Sequence, residues 1–88
     1  MKELVEPIKS IFQLYCHVED YVIYDLDEDI KSPAWNVDIS LIKSQIEEVF
    51  ESSDLYLESI NKITGNEFEN NAELKEWLIP IKDKIFLL

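Results

Sequence analysis

Ile8, Ile11, Phe12, Tyr15, Val18, Val22 and Leu26 recur at intervals of three and four, which puts them on one face of a helix. This spacing predicts a first helix over about residues 4–30, with Pro7 in its first turn, where the missing N–H costs little. Tyr21-Val22-Ile23-Tyr24 is the β-prone stretch within it, the place for a break or a short strand. Residues 31–37, Lys-Ser-Pro-Ala-Trp-Asn-Val, read as a loop, because Pro33 disfavours helical geometry at Ser32. Ile39, Ile42, Ile46, Val49 and Phe50 form the next stripe, a helix over about 39–51 capped by Asp38 or Ser40. Ser52-Ser53-Asp54 interrupts it and offers a new cap. Tyr56, Ile60 and Ile63 carry a third helix to Gly65, which suits a left-handed C-terminal cap. Asn70 or Asn71 caps a fourth, running from Ala72 through Leu74, Trp77, Leu78, Ile81, Ile85 and Phe86, with Pro80 expected to kink or split it near Ile79.

The predicted fold is all-α: a compact antiparallel bundle of about four helices in one domain spanning residues 1–88. A single glycine, Gly65, is too few for the turns of a β-sandwich or barrel. No internal repeat or low-complexity tract interrupts the pattern. Chains this short bury only roughly 60–65% of their unfolded surface. Here 47% of the residues are hydrophobic, which separates the chain from a disordered acidic tail despite its charge.

That charge is lopsided, 19 acids against 8 basic residues, every one a lysine. Without arginine, and at net −11, the chain lacks what phosphate recognition needs, so nucleic acid and anionic membranes are excluded as partners. The same field attracts a basic partner and speeds its arrival, besides keeping the chain soluble. Cys16 is the one cysteine, so no internal disulfide forms, which fits a reducing compartment. Met1-Lys2-Glu3-Leu4-Val5-Glu6-Pro7 lacks the apolar core of a signal peptide, and no apolar run approaches the roughly 20 residues of a membrane span. The expected location is the cytoplasm, of a bacterium.

Candidate chemistry is sparse. Asp25-Leu26-Asp27-Glu28-Asp29 alternates acids like the start of an EF-hand calcium loop. However, the sixth position holds Ile30 instead of glycine and the twelfth Asn36 instead of glutamate. Cys16 and His17 are neighbours in sequence, so on a helix their side chains diverge by about 100° and form no nucleophile–base pair. No lysine lies close enough in sequence to activate the thiol. One glycine cannot build a phosphate loop. No catalytic, metal or cofactor residue is therefore assigned, and the chain is read as a binding protein and not an enzyme.

The densest feature is Glu19 to Asp29, with six acids, no lysine, and Tyr21, Val22, Ile23, Tyr24 and Leu26 between them. Packed like charges repel unless something cationic neutralises them. Tyrosines among carboxylates match the aromatic anchors of interfaces. Glu19, Asp20, Tyr21, Tyr24, Asp25, Asp27, Glu28 and Asp29 are accordingly the candidate partner-binding residues. Tyr21 and Tyr24 are placed together on one helix side, with Val18, Val22 and Leu26 towards the core. The competing account is a solvated acidic face with half-buried tyrosines.

In small size, acidity and acid–aromatic patch the chain resembles bacterial toxin-immunity proteins, the partners of colicins, contact-dependent inhibition toxins and related polymorphic toxins. The resemblance is of type and not of an aligned motif. It implies a tight complex with a cognate toxin domain, often a basic nuclease, blocked at its active site or a neighbouring exosite. Separately, Ile60-Asn61-Lys62-Ile63-Thr64-Gly65-Asn66-Glu67-Phe68 with Trp77-Leu78 is similar to the L-T-G-x-x-F…W tail of some HEAT-like repeat proteins. It departs from that tail at Glu69 and in the spacing to tryptophan, and implies packed helix pairs only. Two other functions stay open: an acidic nucleic-acid mimic that antagonises a DNA-binding protein, and a non-inhibitory helical adaptor or oligomerisation module.

Overall fold

A computed structural model describes residues 2–30 and 38–88, apart from the side chains of Asp20, Tyr24 and Asp27; the expected loop at 31–37 lies outside the described residues. The protein is mostly helical. Its elements are α1 (Ile8–Tyr15), a hairpin of β1 (Cys16–His17) and β2 (Asp20–Tyr21), a 3-10 turn (Ile23–Asp25), α2 (Leu26–Ile30), α3 (Ile39–Glu51), α4 (Ser53–Thr64) and α5 (Asn71–Phe86).

Helix α1 forms where Ile8, Ile11, Phe12 and Tyr15 bury one face. Its start is held from two sides. The Glu6 carboxylate accepts from the Ser10 N–H at 2.8 Å, and Gln45 of α3 accepts from the Ile8 N–H at 3.1 Å while donating to the Glu6 carbonyl at 3.0 Å. The long first helix expected over 4–30 does not form. It stops at Tyr15, and Cys16–Tyr21 fold back as an antiparallel hairpin pairing Cys16 with Tyr21 and His17 with Asp20. Other partners take the hydrogen bonds a helix would have made: the Val22 N–H donates to the Tyr15 carbonyl at 2.8 Å, and the Val18 N–H to Thr64 of α4 at 2.7 Å. Tertiary contacts thus override the local helical spacing, and the β-prone Tyr21–Tyr24 stretch resolves into a strand end and a 3-10 turn.

The later elements mostly follow their sequence signals, although Ser52 at the start of α4 makes no side-chain capping bond. Asp38 caps α3 through the Leu41 N–H at 3.3 Å. Gly65 ends α4 at φ 77°, and Asn70 caps α5 through the Glu73 N–H at 3.0 Å while Glu73 reaches back to the Glu69 N–H at 3.1 Å. Helix α5 runs unsplit through Pro80. Pro80 and Glu76, whose carbonyl loses its partner there, both lie on the exposed face, where water can satisfy that group.

One buried cluster joins all the helices: Ile11 and Phe12 of α1, Leu26 of α2, Ile42 and Ile46 of α3, Ile60 of α4, and Leu74, Leu78, Ile81 and Ile85 of α5. Helix α3 packs most extensively on α5. Trp77 stacks on Phe12 with ring centres 5.9 Å apart and meets Phe68 at 5.3 Å, so the segment after Gly65 returns to the core. Lysine stems line the α3–α5 seam, with the Lys82 ammonium 4.5 Å and the Lys75 ammonium 5.6 Å from the Phe50 ring centre.

Candidate functional site

The acidic segment occupies the hairpin, the 3-10 turn and α2. Leu26 and Ile30 of α2 and Ile23 of the turn are buried, so these residues anchor the segment to the core. Glu19, Asp25, Glu28 and Asp29 are left exposed on its outside. Among the described residues, Glu19, Asp25 and Glu28 close no ion pair with a lysine. Asp29 has a structural task as well: it accepts from the hydroxyl of buried Tyr15 at 2.5 Å, tying α2 to the end of α1. Burial first, and then the Asp29 carboxylate, push the Tyr15 phenol up to about 12.

The expected tyrosine pair is not one helix face. Tyr21 ends β2, 39% exposed, whereas Tyr24 lies in the 3-10 turn. Val18 was expected to face the core; it lies in the hairpin turn, 55% exposed, while Val22 is half-buried and Leu26 fully buried. The backbones of Asp20 and Asp27 lie in β2 and α2. Val18 is therefore the surface residue that helical spacing missed. No local signal marks this turn, because Val18-Glu19 lacks the Asn, Asp or Gly of hairpin turns and the Cys16-His17 strand is not β-prone.

Cys16 and His17 do not diverge as helical neighbours; they alternate as strand neighbours do. The thiol is fully buried, and burial pushes it up to about 12. The imidazole Nδ1 accepts from the Glu19 N–H at 3.1 Å. Asp25–Asp29 enter a 3-10 turn and a short helix, not a calcium loop, and Ile30 points into the core. Among the described residues there is no group of three or more His, Cys, Asp or Glu side chains placed to hold a metal ion. A cleft of about 140 Å³ lies elsewhere, lined by Glu3, Leu4, Lys9, Ser59, Lys62 and Ile63. It is well below the few hundred Å³ of ordinary ligand pockets. Among the described residues no helix is long and apolar enough to cross a membrane.

Charge is distributed unevenly along the chain. Residues 71–88 carry three acids and three lysines, so the whole net charge of −11 lies in residues 1–70. The exposed Lys2–Glu48 pair, at 3.2 Å, does little to offset it. Self-repulsion of this kind is relieved by screening, whose length falls from about 30 Å at roughly 0.01 M salt to about 8 Å at 0.15 M. The melting temperature should therefore rise across that range; a steady fall would show that local ion pairs outweigh the net field.

The chain is thus a small acidic, mostly helical protein whose acid-rich segment is anchored to the core through Ile23, Leu26 and Ile30. Comparison with protein-family models, curated proteins and solved structures finds no match to it.

Proposed function

We propose that this protein binds and inhibits a basic protein partner, in the manner of a bacterial toxin-immunity protein acting on a cognate toxin domain, such as a nuclease, in the cytoplasm. The observation that carries this reading is the exposure of Glu19, Asp25, Glu28 and Asp29 on core-anchored elements of a segment without a lysine. Fixed carboxylates of one sign accelerate encounter with a cationic surface and reject anionic ones. A nucleic-acid mimic needs acids with little apolar relief, and the exposed Val18 and Tyr21 that flank Glu19 and Asp20 in the hairpin favour a protein interface instead. The same reading takes the helices as antiparallel neighbours around their core, with α5 bent at Pro80.

The test is kinetic. The cognate toxin, encoded next to an immunity gene, is purified and its association measured against the wild-type chain and Asp25→Lys/Glu28→Lys. Charge reversal should slow association about tenfold or more at low salt and flatten its salt dependence. Co-expression of the wild-type chain should also relieve the toxin's growth arrest. Equal association rates and salt slopes for the two chains would show the acidic surface to be a solvated face only.

A further inference from the structure

The turn between β1 and β2 goes against two local preferences. Two-residue hairpin turns favour Asn, Asp and Gly, yet this one is Val18-Glu19. It also leaves a β-branched apolar side chain more than half exposed. Departures of this kind concentrate where a surface has a use.

The turn is held from outside and from its own first strand. The Val18 N–H donates to the Thr64 carbonyl at 2.7 Å, and the Glu19 N–H to His17 Nδ1 at 3.1 Å. Gly65 lies so close beneath that a Cβ there would sit 3.0 Å from Val18 Cγ1. Val18 is thus presented from a backbone fixed against the C-terminal cap of α4. Tyr21, also part-exposed, follows three residues later, no more than about 11 Å away between Cα atoms.

We propose that Val18 and Tyr21 are the apolar anchor of the docking surface, and that its occupant is a cationic protein segment carrying an apolar side chain among its lysines or arginines. The inference rests on the acidic-surface reading above and adds the source of residence time to it. Charge selects the occupant: the net −11 in residues 1–70 repels nucleic acid, anionic membrane and a second copy of this chain alike. The cationic groups meet Glu19, Asp25 and Glu28, while the apolar side chain covers Val18 and Tyr21. Steering sets the rate of arrival and the desolvated anchor sets the rate of departure. A pre-formed turn loses little freedom on binding.

The experiment titrates the full chain with two synthetic peptides of equal length and charge, one of lysine and serine, the other of lysine and leucine, followed by amide chemical shifts. Both should move the resonances of residues 19–29, and the leucine peptide should bind at least about fivefold tighter. That gain should vanish in Val18→Ser and in Tyr21→Ser, with the serine peptide unaffected. It should persist in Leu41→Ser, a control on α3 where the leucine is 44% exposed. Absence of the gain, its survival in both hairpin variants, or its equal loss in Leu41→Ser overturns the anchor and leaves the acidic surface standing. If neither peptide shifts residues 19–29 at low salt, the acidic surface fails and the anchor with it.

Discussion

Gly65→Ala should destabilise the protein by about 2–4 kcal/mol and displace the hairpin. The backbone at Gly65 has φ 77°, where an L side chain costs about 1–2 kcal/mol. The new methyl would also lie 3.0 Å from Val18 Cγ1 and 3.3 Å from His17 Cε1 and Nε2, crowding that adds about 1–3 kcal/mol unless the neighbours move. Val18 is exposed enough to rotate aside, so part of the crowding converts into hairpin movement. Asparagine, which tolerates the left-handed region, separates the two effects: Gly65→Asn should recover most of the backbone term and still shift the amides of residues 16–21. Denaturant unfolding gives the first number and amide shifts the second. An alanine variant within about 0.5 kcal/mol of wild type, the range of an innocuous surface change, would mean that neither the cap nor the hairpin contact constrains this position.

The helices after residue 38 were legible because each carries its own boundary chemistry. Asp38 accepts from the Leu41 N–H, Asn70 from the Glu73 N–H, and Gly65 takes the left-handed cap, so local signals and tertiary packing agree. The first third is different. Ile8, Ile11, Phe12 and Tyr15 do face the core as their spacing implies, but the same spacing continues by coincidence through Val22 and Leu26. Nothing local announces the hairpin, since its turn is Val18-Glu19 and the bond that holds it comes from Thr64, 46 positions away from Val18. The acids of the candidate site were visible as one contiguous segment. What holds that segment was not: Leu26 and Ile30 seat α2, and a buried phenol claims Asp29. The proposed anchor follows the same division, because a valine at helical spacing reads as core until the chain is seen to turn beneath it.

The second large effect is an alkaline loss of stability centred on Cys16. The thiol is buried without a charged partner, and burial alone pushes it from the usual 9 up to about 12. The folded state therefore holds a proton that the unfolded state gives up near pH 9. A group raised in this way contributes its full stability below the unfolded value and loses it as pH climbs towards the folded one. Each unit corresponds to about 1.4 kcal/mol, so roughly 4 kcal/mol should disappear between pH 9 and 12 from this one group. Tyr15, also raised to about 12, adds a loss that begins near pH 10, where the unfolded phenol ionises. Together these approach the whole stability of a domain this small, and the protein should unfold within that window. Cys16→Ala is the diagnostic variant, since alanine leaves no hydroxyl unpaired in the core as serine would. It should start somewhat less stable at pH 7 because of the cavity, yet fall more gently with pH between 9 and 10, where Tyr15 has not begun to contribute. Denaturant midpoints measured at intervals across pH 7–11 give both slopes. Parallel slopes for wild type and Cys16→Ala would show that the thiol ionises as readily folded as unfolded, and that Cys16 is not sealed in the core.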